Sequence, residues 1–122
     1  MQLRRLAFSA LAALALFADA PAFGQNTAEL AAPRTVDIAS HVAEAALRFG
    51  LPEQWIYAVM RTESDGRIGA VSSAGAMGLM QLMPGTWARQ RTRFGLGADP
   101  FDPRDNIMAG TSYLREMYDS YG

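Results

Sequence analysis

Glu63 and Ser64 close an amphipathic helical stretch in the middle of the chain, and a turn rich in small residues and amides follows them. Ile56, Val59 and Met60 share one helical face, and Glu63 continues it at i+4 from Val59 and i+3 from Met60. A carboxyl group on an apolar face is easier to keep neutral than ionised. Glu63 is therefore expected to hold its proton at a higher pH than a free glutamate. That is the property of a general acid working near neutral pH. Downstream lie Ser72 and the run Gly75-Ala76-Met77-Gly78-Leu79-Met80-Gln81-Leu82-Met83-Pro84, whose glycines let the backbone approach a ligand and whose serine and glutamine hydrogen-bond without adding charge. Asp65 sits only two residues from Glu63, should point elsewhere from the helix end, and is assigned to the surface. A glutamate near a helix end is ordinarily just solvated, so position alone does not assign the chemistry.

The company of these residues does. Glu63-Ser64, Ala70-Val71-Ser72, the run from Gly75 to Pro84, and then Asn106-Ile107, Gly110 and Tyr113-Leu114 together resemble the catalytic core of the soluble-type (SLT) lytic transglycosylases, from about residue 40 to residue 122. The resemblance implies a goose-lysozyme-like, all-α domain, and a peptidoglycan lyase that cuts murein between N-acetylmuramic acid and N-acetylglucosamine. It implies one catalytic glutamate, Glu63, which protonates the bridging oxygen and then takes the proton of the muramoyl 6-hydroxyl as the 1,6-anhydro ring closes. No water is consumed and no cofactor or metal is needed. Ordinary glycosidases use two carboxylates instead. The resemblance further implies that Ser72 and Gln81 contact the sugar and its N-acetyl group, that Met83 lines the groove, and that Ser64, counted with them in the substrate site, steadies the acid's helix. There are departures. Gly66 and Ile68 stand where the family usually has an aromatic residue and a proline, so that loop is expected to be less constrained. The family's third signature, Ala-Tyr-Asn-Ala-Gly, has no counterpart before Gly122, and the domain is expected to be C-terminally incomplete.

Two other functions fit some of the same letters. Without that third signature, a non-catalytic peptidoglycan-binding or scaffold protein of an envelope-spanning machine, such as a secretion or conjugation apparatus, is an alternative. Met77, Met80 and Met83 also form a Met-x-x-Met-x-x-Met run, and soft thioethers select Cu(I). Methionines equally fill cores, so a copper carrier is the weaker reading. His41 is the single histidine and has no partners for a metal site.

At the amino terminus, Arg4 and Arg5 precede an apolar run from Leu6 to Ala18, and Ala22-Phe23-Gly24 supplies small residues at a cleavage site. Residues 1–24 read as a cleavable secretory signal and residues 25–34 as a polar, aperiodic lead-in. The run is shorter than the ~20 residues that span a bilayer, so no stable membrane insertion is expected after cleavage. With no cysteine, a lipid-anchored lipoprotein is excluded. The expected product is exported or periplasmic. Losing Arg4, Arg5 and Asp19 takes the formal charge from −1 to −2, and every basic residue is an arginine. Such a surface does not suit non-specific nucleic-acid binding.

The elements that must position the acid follow from periodicity. A helix capped by Thr35 carries Ile38, Val42, Ala45, Ala46 and Phe49 on one face and stops at Gly50. Pro52 fits the first turn of the helix ending at Glu63 and Ser64, Pro84 starts a third helix toward Phe94, and Asp102-Pro103 caps a fourth that runs to the end. Trp87, Tyr113, Tyr118 and Tyr121 fall at helical spacing and are assigned to packing ahead of sugar stacking. No segment alternates as a half-buried strand does, so the class is all-α and residues 35–122 form one domain.

Overall fold

The computed structural model describes residues 36–122, so the expected signal segment, the lead-in and Thr35 lie outside the described residues. The described residues form four helices: α1 (Ile38–Phe49), α2 (Glu53–Ser64), α3 (Pro84–Phe94) and α4 (Pro103–Tyr121). Among the described residues β-structure is confined to two isolated bridges, Val71 with Met77 and Met77 with Leu82. The expected all-α class is what the chain adopts.

The helix ends are set by local chemistry, with two shifts from the sequence expectation. The cap of α1 is Asp37, whose Oδ1 accepts the Ser40 N–H at 3.1 Å. Its carboxylate both satisfies an orphan donor and faces the positive end of the helix. Pro52 stands just outside α2 as its N-cap, extended at ψ 139°, and the helix starts one residue later than expected. The expected signals at Gly50 and Asp102 act where they stand: Gly50 takes a left-handed φ of 65° after α1, and Asp102 caps α4 by accepting the Asp105 N–H ahead of Pro103. Gly95 ends α3 in the same left-handed way at φ 65°.

Helix α4, 19 residues and about 28 Å long, is the central pillar, packed against both α1 and α3, while α1 also packs on α2. Its residues Asn106 to Ser112 are all buried, which wraps the helix on every side instead of along one stripe. One core cluster joins Val42, Ala45 and Ala46 to Ile56, Met60, Leu79, Met80, Ile107 and Met108. A smaller one joins Leu82, Trp87 and Ala109, with Met77, Leu96 and Tyr113 packed on it. Leu79, Met80 and Leu82 belong to no helix, so the core is completed by a loop.

Polar contacts tie the helices at their rims. Arg104 grips Glu44 through Nε at 3.0 Å and Nη2 at 2.7 Å, joining the start of α4 to α1, and Arg115 reaches the Gly50 carbonyl at 3.2 Å. Between α3 and α4, Glu116 accepts from Gln90 Nε2 at 2.8 Å and from Arg89 at 3.0 Å, with Arg93 3.6 Å away. Partial burial pulls the Glu116 carboxyl up. The Gln90 and Arg89 hydrogen bonds and the Arg89 and Arg93 charges outweigh it and hold the group below the usual carboxylate value. A depressed folded pKa stabilises above the unfolded value, and that contribution disappears as pH falls through the folded one. Glu116→Gln should therefore cost stability near neutral pH, and the gap to the parent should close as pH drops below the ordinary carboxylate range. Denaturant unfolding across pH checks this; a gap independent of pH would mean the charge is not what matters.

Candidate active site

The last turn of α2 is built around Ser64, and here the structure revises the reading of the apolar face. The buried residues run Ile56, Met60, Ser64 at intervals of four, and Ser64 is 2% exposed. Glu63 sits on the shoulder of that stripe, half-buried beside the partly buried Val59, instead of continuing it inward. The physical reason is hydrogen-bonding capacity. The Ser64 hydroxyl donates to the Met60 carbonyl at 3.1 Å and accepts the Gly66 N–H at 3.1 Å, so it can be buried without an orphaned group. Its bonds are spent on the helix end, which makes it a support for its neighbour and not a surface contact.

The chain then turns sharply. Asp65 takes φ 56° and Gly66 φ 77°, while the Asp65 N–H returns to the Met60 and Arg61 carbonyls. Arg67 N–H bonds the Ser64 carbonyl and Ala70 N–H the Arg67 carbonyl, so a loop expected to be less constrained for having Gly66 and Ile68 is stitched back onto the end of α2. Asp65 is exposed at this C-cap, consistent with the surface assignment.

A second knot follows. Ser72 Oγ accepts the Ala74 and Ala76 N–H groups at 3.2 and 3.0 Å, and its main chain pairs with Ala76 and Gly75. With both acceptor positions engaged, the hydroxyl still has its own proton to donate. Gln81 is no solvated turn residue. It is 4% exposed at φ 51°, and its Nε2 donates to the Ala70 and Gly78 carbonyls, each at 3.0 Å. Gly78 N–H also bonds the Ala70 carbonyl at 2.8 Å, and Met77 exchanges two bonds with Leu82. Thus Ser72 and Gln81 belong to one hydrogen-bonded unit, linked through Ala70 and Arg67 to the helix end that carries Glu63 and Ser64. Met83, half-buried, is the N-cap residue of α3 and leaves the knot.

Sequence reasoning gave Asn106 no role of its own. Fully buried in α4, its side chain accepts the Met80 N–H at 2.8 Å and donates to the Met77 and Pro100 carbonyls at 3.0 and 2.9 Å. Gly78, at φ 78°, passes so close that a Cβ there would lie 2.3 Å from Asn106 Nδ2. The sequence signal was a polar residue in the first turns of a helix whose next residues are apolar.

Other candidates separate cleanly. Met80 is fully buried, its sulfur against the Thr111 hydroxyl at 3.8 Å and against Gly110, where a Cβ would meet it at 2.5 Å. The middle thioether of the Met run is thus packing, and a three-sulfur copper site is not assembled by that spacing. Trp87 is core, and Tyr113 is half-buried on the same cluster, its hydroxyl pushed up by burial against the opposing Arg89 charge. Tyr118 and Tyr121 are exposed, Tyr118 meeting Trp55 edge-on at 5.4 Å.

The profile of the Transglycosylase SLT domain family matches residues 40–122, and the chain belongs to that family. It is 41% identical over 86 residues to the membrane-bound lytic murein transglycosylase C of Haemophilus influenzae, covering 66% of this chain and 24% of that protein. It is 39% identical over 82 residues to the transglycosylase of Enterobacteria phage PRD1, covering 66% of this chain and 29% of that one. Among solved structures, an inactive mutant of the lytic transglycosylase Slt from Pseudomonas aeruginosa superposes with a TM-score of 0.63 at 33% identity, over 68% of this chain and 14% of that one. The 70-kDa soluble lytic transglycosylase of Escherichia coli gives 0.62 at 32%, over 69% and 14%. The chain thus spans about a quarter of the length of the curated relatives it matches, and its fold is that of a lysozyme-like transglycosylase domain.

If Ser64 holds the helix end as its two bonds suggest, Ser64→Ala should lower stability by about 1–2 kcal/mol, because the Gly66 N–H loses its acceptor. Thermal unfolding with retained helical circular dichroism checks this, and an unchanged midpoint would show that the hydroxyl holds nothing.

Proposed function

We propose that this domain is a peptidoglycan lytic transglycosylase that cuts glycan strands between N-acetylmuramic acid and N-acetylglucosamine with formation of a 1,6-anhydromuramoyl end. The observation that carries the reading is the position of Glu63. It is a half-buried carboxyl at a helix end whose next residue is locked inside, and it is followed directly by the knot that holds Ser72 and Gln81, in a chain of the SLT family.

In this reading the protonated Glu63 gives its proton to the bridging oxygen as the bond to C1 of the muramoyl residue breaks. The resulting carboxylate then accepts the proton of the 6-hydroxyl, whose oxygen closes onto C1, and the enzyme returns to its starting state. One acid serves both transfers. Asp65, exposed at the C-cap, takes no part. The Ser72 hydroxyl donates its free proton to the sugar. The Gln81 amide has its hydrogens committed to the loop, so its carbonyl oxygen is the group that accepts from an N-acetyl N–H. Met83 gives the groove an adaptable apolar lining. Ser64 acts through Glu63 by holding its backbone. A murein substrate implies a working place outside the cytoplasm, the localisation expected from reading residues 1–24 as a secretory signal; a secretion or conjugation apparatus is a partner class that such an activity would serve.

The test is digestion of purified murein sacculi with mass analysis of the soluble products. The parent should release anhydromuropeptides, and Glu63→Gln should lower release by about 10²–10⁴-fold while remaining folded. Undiminished release by Glu63→Gln, or muropeptides with free reducing ends, would refute the single-acid mechanism. Binding of sacculi without any release would favour the scaffold reading instead.

A further inference from the structure

The carboxamide of Asn106 is fully buried, and all three of its hydrogen bonds go to main-chain atoms outside its own helix. Its oxygen takes the Met80 N–H, and its two hydrogens go to the Met77 and Pro100 carbonyls. Only an amide offers one acceptor and two donors from a side chain of this length; aspartate offers acceptors alone and leucine neither. The bonded segment brackets Gly78, and Gln81 follows Met80 directly. Gly78 N–H and Gln81 Nε2 then both bond the Ala70 carbonyl, on the segment that leads back to Glu63. A hydrogen-bonded path thus runs from α4 to the acid's helix end with Asn106 at its root.

We propose that Asn106 is a positioning residue of the glycan site, holding the Met77–Gln81 backbone in register with Glu63 by accepting the Met80 N–H and donating one amide hydrogen to the Met77 carbonyl, while the other hydrogen ties it to Pro100. This rests on the transglycosylase reading above. Asn106 touches no substrate and acts through Gln81. The loop from Met77 to Leu82 carries no titratable group. Charged groups flanking the residue are Asp105 on its own helix, Asp102, the cap whose carbonyl accepts the Asn106 N–H, Asp99 in the connector, and Arg104, which pairs with Asp105 and with Glu44 of α1.

The test is Asn106→Asp, which keeps the acceptor for Met80 but sets a carboxylate oxygen against two carbonyls. Protonation returns one of the two donors, and burial among carbonyls favours that protonated form. At neutral pH the variant should turn over sacculi roughly 10²-fold more slowly than wild type, the penalty of a misplaced contact. The ratio to wild type at the same pH should recover as pH is lowered. Hydrogen exchange of the Met77–Leu82 segment, compared with wild type at each pH, should follow the same course, with circular dichroism native throughout. A folded variant whose turnover and exchange run parallel to wild type at every pH overturns the proposal. Gly78→Ala decides if the aspartate variant does not fold: it pushes a Cβ into Asn106 Nδ2 and should cost turnover without pH dependence, whereas full turnover in folded Gly78→Ala overturns the proposal. Absence of anhydromuropeptides from wild type would refute the transglycosylase reading, and the exchange profile would then decide by itself whether Asn106 holds the loop.

Discussion

Burying a loop is harder than burying a helix, because each main-chain N–H and C=O taken from water needs a partner that the loop's own geometry does not supply. This domain buries one. Leu79, Met80 and Leu82 lie in the interior although no helix contains them, and part of the cost is met by two side chains: Asn106, sent from α4, and Gln81, from within the loop itself. The constraint explains the glycines as well. Gly78 must pass Asn106 where a Cβ has no room, and Gly110 must let Met80 lie flat on α4. Large side chains at either glycine would lift the loop off the pillar.

The same arrangement separates stability from chemistry. The groups that fix the site, Ser64, Asn106 and the Gln81 amide hydrogens, are buried and committed. On the proposed reading the groups that face the ligand are the Glu63 carboxyl on the shoulder of α2, the Ser72 hydroxyl proton and the Gln81 amide oxygen, a set that suits a sugar with amide substituents.

Much of this was legible locally. Gly50 and Asp102-Pro103 mark helix ends because their effect lies within a turn of their own position. The cap of α1 was placed two residues early because Thr35 and Asp37 are both competent caps, and spacing from the first apolar residue does not choose between them. The apolar spacing put Glu63 on the buried face, but a hydroxyl can be buried by bonding its own helix and a carboxylate cannot, so the helix turns Ser64 inward and leaves Glu63 on the shoulder. Asn106 was invisible as a determinant because its loop partners stand 26 and 29 positions away, and a polar residue reads as surface until those partners are known. The seven buried residues of α4 were equally hidden, since a helix enclosed on all sides has no period to detect.

On the proposed function, the helix end bearing Glu63 and the knot bearing Gln81 are two walls of one glycan site. The most direct measurement is a crystal structure of the Glu63→Gln protein soaked with a murein fragment that spans the scissile bond. The account predicts the bridging oxygen within hydrogen-bonding reach of the substituted side chain and an N-acetyl group against the Gln81 carbonyl. A fragment seated elsewhere, for instance on the exposed Trp55 and Tyr118 rings, with the Gly75–Pro84 face empty, would contradict it.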